Sequence, residues 1–179
     1  MNDNTLFTVG HSNYDMVTFI ALLKQHAIDV LTDVRSSPYS KYVPHFNKAN
    51  LEREIRAAGM QYLYLGQHLG GMPDNDAYYD DDGRVLYYRV AKDAGFLHAI
   101  SRLEQGIKKY VVAIMCGEEN PSGCHRHLLV SRVMSERGTH VLHLRGDGSV
   151  QTDVELHGSI CEQPFLFDLP DEDITWKSM

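Results

Sequence analysis

Short apolar, β-branched runs alternate along this chain with segments whose apolar residues recur at helical spacing. Thr5 to Val9 is the first run, ended by Gly10, and Met16 to His26 follows with Phe19, Ile20, Leu22 and Leu23 spaced for one helix face. Ile28 to Val34 predicts a second strand. Asn47 is placed to cap a helix carrying Leu51, Ile55 and Ala58 on one stripe, with Gly59 where it stops. Gln61 to Leu65 predicts a third strand, Ala91 to Gln105 a helix through Phe96, Ile100 and Leu103, and Tyr110 to Met115 the most strand-like run of all. Ser122 and Gly123 open a helix to Arg137, with Leu129, Val130, Val133 and Met134 inward and Gly138 as its stop; Val141 to Leu144 closes the series. Strands that alternate with helices build βαβ units, so the expected fold is α/β, a three-layer α/β/α Rossmann-like domain with a mostly parallel sheet of about five strands.

Two stretches break the pattern. Residues 66–88 contain Gly70-Gly71-Met72-Pro73, the acidic run Asp80-Asp81-Asp82-Gly83 and four tyrosines, and read as a long loop or lid, with the tyrosines packing it down. Beyond Gly146, Val150 to Leu156 predicts an edge strand. Residues 1–157 are thus expected to form a single α/β domain, with 158–179 a C-terminal tail packed on it.

Composition narrows the function classes. A chain of 179 residues with 43% hydrophobic content can bury about 70% of its unfolded surface without metal or disulfide support. A net charge of -7 argues against coating a polyanion and leaves room only for a local basic pocket. Three unevenly spaced cysteines do not form a disulfide framework, which points to a reducing compartment. With no basic start before an apolar run and no stretch near the ~18 apolar residues of a membrane span, the expected location is cytoplasmic, with no membrane partner.

Open parallel sheets bind ligands beyond the carboxyl ends of their strands, where the strand order reverses. That rule selects three clusters. Gly10-His11-Ser12-Asn13 follows strand one and offers an imidazole able to act as acid, base or anion contact, with Ser12 or Asn13 free to cap the next helix. Asp33-Val34-Arg35-Ser36-Ser37-Pro38 follows strand two. Alternation sends Asp33 and Arg35 to the same side, either as an ion pair pinning a loop or as a device that positions substrate, with Lys41 nearby.

The third cluster, Cys116-Gly117-Glu118-Glu119-Asn120-Pro121-Ser122-Gly123-Cys124-His125-Arg126, runs from the end of the strongest strand into a helix. A thiol at a helix start feels the positive end of the macrodipole and adjacent cations, and the same free N–H groups suit an anion. Four readings stay open here. Cys116 and Cys124 could form a reversible disulfide; Cys116, Cys124 and His125 could ligate zinc with His11 closing the shell; the segment could carry a thiol nucleophile or anion cradle with Glu118 as general base; or the two cysteines could be small core residues. The C-x5-R spacing of a phosphocysteine loop is absent. His98, His140 and His143 fall within helix or strand patterns and read as interior or surface groups, and Cys161 as incidental.

Four motifs in order, TVGHS, TDVRSSPYSKYVPHFN, YLYLGQHLGGMP and CGEENPSGCHRHLL, resemble the DUF488 family of α/β proteins of unknown function over roughly residues 5 to 145. The resemblance implies that His11, Ser12, Asp33, Arg35, Pro38, Pro44, Phe46, Gly70, Gly71, Cys116, Glu118, Cys124, His125 and Arg126 are the important positions. Family members usually carry Ser-Arg where this chain has Ser40-Lys41, which keeps the charge and loses the planar fork.

The leading expectation is therefore an enzyme acting on a phosphate-bearing or other anionic substrate, with nucleotides and nucleic-acid constituents among the candidates. Cys124, His11, Cys116, Glu118 and His125 would be catalytic, and Ser12, Asp33, Arg35, Lys41, Gly70, Gly71 and Arg126 would bind substrate. A non-catalytic nucleotide or nucleic-acid binding module and a zinc-stabilised module are the alternatives. No cofactor is specified; a small anionic ligand is the expected partner, with nucleic acid and a homodimer left open.

Overall fold

The structure is a computed structural model of the chain, and it describes residues 4–160 and 176–179. Its strands are β1 (Thr5–Gly10), β2 (Val30–Asp33), β3 (Gln61–Tyr64), β4 (Val112–Cys116), β5 (His140–Leu144) and β6 (Val150–Thr152). Its helices are α1 (Met16–Gln25), α2 (Lys48–Ala57), α3 (Gly66–Leu69), α4 (Tyr87–Val90), α5 (Ala94–Ile107), α6 (Arg132–Glu136), which continues a π-helical segment Arg126–Ser131, and α7 (Asp153–Ile160). The sheet order is β3-β2-β4-β1-β5-β6, parallel from β1 to β5 and antiparallel only at β6.

Period-two alternation divides the sheet between two cores. Val112 and Ile114 of β4 enter one core with Phe96, Ile100 and Leu103 of α5 and with Leu129 and Val130. Ala113 and Met115 enter the other, against Phe19 and Leu23 of α1 and Leu51 and Ile55 of α2. A strand buried on both faces needs apolar residues at every position, which explains why β4 is the most apolar run in the sequence. The result is the expected three-layer, Rossmann-like α/β arrangement.

The sheet holds the five expected parallel strands and the edge strand β6. Several elements differ from expectation. Val150 to Leu156 is strand only to Thr152, because Thr152 and Glu155 form a capping box: the Thr152 N–H donates to Glu155 Oε2 at 2.7 Å, and the Glu155 N–H to Thr152 Oγ1 at 3.2 Å, which starts α7. Asp15, not Ser12 or Asn13, caps α1 by accepting the Thr18 N–H at 2.8 Å. Asn47 does sit at the start of α2, yet its Oδ1 accepts the Ser40 N–H at 2.7 Å and ties down the preceding loop.

Residues 66–88 hold α3, a 3-10 turn at Asp76–Tyr78 and a bridge between Tyr79 and Val85, and Tyr87 begins α4. Tyr78 donates to Asp93 at 2.9 Å, Tyr79 to the Pro73 carbonyl at 2.8 Å, and Tyr87 is buried. Residues 176–179 lie against this segment: Ser178 exchanges bonds with the Val85 backbone, and Lys177 pairs with Asp80 at 2.9 Å. The rest of the expected tail, with Cys161, lies outside the described residues. No helix among the described residues is long and apolar enough to cross a membrane.

The chain runs from β1 past one strand position to β2, then later inserts β4 between them. Gly10 is in register with Cys116, and Asp33 with Met115, so three strands end level at this change of direction. Ligand sites of open α/β sheets form there.

Candidate functional site

His11 is held by two hydrogen bonds of opposite sense. Its Nδ1–H donates to the Ser12 carbonyl at 2.7 Å, so Nε2 is left to accept from Arg35 Nη1 at 3.1 Å. The ring stacks on Phe46 with centroids 4.3 Å apart. Burial first, and the Arg35 charge second, lower its pKa to about 4, which keeps the imidazole neutral. Ser12, at φ 45°, occupies the left-handed region uncommon for a residue with a side chain, and its N–H donates to the Gly117 carbonyl at 2.8 Å.

Arg35 is pinned from below. Asp33 accepts from its Nε at 2.9 Å and its Nη2 at 2.7 Å, the Tyr62 hydroxyl donates to the same carboxylate at 2.7 Å, and Nη2 also reaches the Phe46 carbonyl at 2.9 Å. Asp33 is completely buried and Arg35 nearly so. The pair therefore both fixes a loop and delivers one edge of a guanidinium to His11.

Beside it, His125 donates Nε2–H to the Val34 carbonyl at 2.9 Å, which turns Nδ1 toward two sulfurs, Cys116 Sγ at 3.6 Å and Cys124 Sγ at 3.8 Å. The thiols are inequivalent. The Cys124 S–H bond, the Arg126 charge and the backbone N–H groups of Gly117 and Glu118 outweigh burial and pull the Cys116 pKa down, whereas that same bond and burial push Cys124 up. The direction of the shift thus favours Cys116, where the sequence reading favoured Cys124.

Arg126 is the largest completely buried side chain among the described residues and faces inward. Its Nη1 donates to the Glu118 carbonyl, its Nη2 to the Glu119 carbonyl at 2.6 Å, and its Nε to Thr8 Oγ1 at 3.4 Å. Those partners occupy it as a support beneath the 117–119 loop, not as a clamp reaching for solvent. Glu119 adds a second tether, accepting from Arg145 Nη2 at 2.8 Å and the Gly146 N–H at 3.2 Å. The Glu118 side chain and Lys41 are exposed, the latter's ammonium 4.9 Å from the Tyr42 ring.

Gly70 and Gly71 bring backbone against the site. A Cβ at Gly71 would lie 2.6 Å from Cγ of His125, and one at Gly70 would meet Ser36 Oγ. Ser36 and Gly70 also line an adjoining cleft of about 570 Å³ with Tyr64, His68, Asp74 and Asp93, which carries carboxylates at its wall.

Among the described residues, two groups of donor atoms could hold a metal. Cys116, Cys124 and His125 place theirs within 4.8 Å of one another, and so do His127, His143 and Asp153 across β1. His11 does not complete the first set, since both its nitrogens are engaged by Ser12 and Arg35. His143 is more than an isolated interior group: His127 and Asp153 are its neighbours. Sequence spacing concealed this set, because the three residues sit on different elements.

No curated protein and no solved structure matches the chain. Residues 15–133 match the family model of DUF488, a domain of unknown function, and this span covers Asp33, Arg35 and the whole Cys116 to Arg126 segment. Since that match takes in well over half of the 179 residues, the chain belongs to the DUF488 family.

Proposed function

We propose that this protein is an enzyme that uses Cys116 as a thiolate nucleophile on a phosphate-bearing or other anionic substrate. The observation that carries the reading is the orientation of His125: its proton-bearing Nε2 is committed to Val34, so Nδ1 is the atom that can exchange a proton with sulfur. Cys124 donates its S–H to the Cys116 thiolate, the Gly117 and Glu118 N–H groups hold its charge, and buried Arg126 supplies the positive field beneath. His125 takes a proton when the thiolate is generated and returns one to a leaving group. Arg35, fixed by Asp33, and Lys41 on the neighbouring loop supply positive charge for the anion. A nucleotide-sized ligand is favoured over a nucleic-acid polymer, which a net charge of -7 repels at long range.

The test is competitive alkylation read by mass spectrometry. Iodoacetate and iodoacetamide are offered near neutral pH, with and without phosphate. Cys116 should react ahead of Cys124 and Cys161, should prefer the anionic reagent, and should be protected by phosphate. A Cys116 no faster than Cys161 removes the thiol role, and a preference for iodoacetamide removes the anionic substrate.

A zinc-stabilised reading is favoured by one specific feature. Two thiols and an imidazole whose far nitrogen is oriented by a backbone carbonyl make a donor set with the outer-shell support common at zinc. Metal content of the purified protein before and after Cys116→Ser decides it.

A further inference from the structure

On the other side of β1 from Cys116, three side chains from three elements converge. His127 comes from the π-helical segment, His143 from β5, where it is paired in register with Thr8 of β1, and Asp153 from the start of α7. Asp153 Oδ1 lies 3.0 Å from His127 Nδ1 and 3.1 Å from His143 Nε2, and the two rings meet edge to face at 5.3 Å. Zinc bonds of about 2.0–2.2 Å in a tetrahedron put donor atoms about 3.3 Å apart, close to the two carboxylate–imidazole spacings already present.

We propose that His127, His143 and Asp153 form a binding site for a divalent transition metal, zinc foremost. Two imidazoles and one carboxylate on a borderline cation are the ligand types such ions select. The outer shell is also in place. Thr8 Oγ1 lies 2.8 Å from His143 Nδ1, so when Nδ1 carries the proton and donates to Thr8, Nε2 presents its lone pair to the metal. Binding requires that the ring nitrogen facing Asp153, Nδ1 of His127 and Nε2 of His143, be the unprotonated one, with the proton on the other nitrogen of each ring.

The imidazoles are almost completely buried while the Asp153 side chain keeps 22% of its exposure, so entry runs past the carboxylate. Arg126, which donates to the far side of Thr8, adds a positive charge nearby and weakens the site; the Asp153 carboxylate, in direct contact, offsets it. A bound ion would clip α7 to the sheet.

Cobalt(II) distinguishes this site from the thiol-rich one, because thiolate ligands add a near-ultraviolet charge-transfer band that nitrogen and oxygen ligands lack. The whole chain is stripped with chelator and titrated with cobalt alone. In a Cys116→Ser/Cys124→Ser/Cys161→Ser background it should still bind one equivalent, with visible ligand-field bands and no thiolate band. Asp153→Asn and His127→Gln should each weaken that affinity by at least about tenfold. The proposal is overturned if the thiol-free background takes up no cobalt, or if Asp153→Asn and His127→Gln, shown to be folded by circular dichroism, bind it as before. Should both substitutions prevent folding, uptake by the thiol-free background alone decides.

Discussion

His125 Nε2 donates to the Val34 carbonyl across 2.9 Å, and this one bond, from a loop-to-helix junction to the end of β2, aims Nδ1 at both Cys116 and Cys124. The ring is wedged from the other side by Gly71. A methyl there would sit 2.6 Å from Cγ of His125, so one of the two must move. Gly71→Ala should cost about 1–3 kcal/mol in urea unfolding and slow alkylation of Cys116 at neutral pH. Unchanged reactivity in a destabilised variant would detach the ring position from the thiol chemistry.

Arg126 couples the buried core to the reactive loop. Arg126→Met leaves the carbonyls of Glu118 and Glu119 without their donors, at about 1–3 kcal/mol each. It also removes a positive charge that lowers the Cys116 pKa. Lower stability and an upward move in the pH midpoint of Cys116 alkylation are expected together, and a midpoint that stays put would show that the loop N–H groups and Cys124 suffice.

Asp33 carries the rim through Arg35. Removing its charge by Asp33→Ala leaves a buried guanidinium uncompensated, for an expected loss of about 3–5 kcal/mol. Tyr62→Phe deletes one hydrogen bond to that carboxylate and should cost about 1.5–3 kcal/mol. Chemical denaturation of both variants checks the order; equal losses would mean that Tyr62, not the ion pair, dominates.

His11 makes stability depend on pH. Its folded pKa of about 4 lies below the ordinary 6.5, so the unfolded chain takes up a proton first as pH falls. Stability from keeping this imidazole neutral is fully present above about pH 6.5 and is lost as pH drops toward 4, by about 2–3 kcal/mol at pH 4.5. Urea unfolding at pH 7 and 4.5 should show a smaller drop for His11→Gln than for the parent chain.

Much of this was legible in the sequence. The β4 run, buried on both faces, and the helix stripes through Phe96, Ile100 and Leu103 follow from periodicity, because burial imposes the same repeat wherever the element lies. The rule for strand ends selected His11, Arg35 and Cys116, and these do stand at strand ends that are level in the sheet. The expectation of one edge strand over Val150 to Leu156 misses the Thr152 to Glu155 capping box.

Local pattern thus determined the α/β class, the two cores and the neighbourhood of the site, since those depend on the spacing of apolar residues along one element. Which way each polar group faces was decided only by the packed chain. Arg126 turns inward because two carbonyls of the 117–119 loop offer it partners, the Cys116 pKa is drawn down while that of Cys124 is pushed up because of the donors around each, and His143 meets His127 and Asp153 only when β5, the π-helical segment and α7 come together. Such outcomes depend on short-range electrostatics between residues remote in sequence, which no one-dimensional spacing encodes.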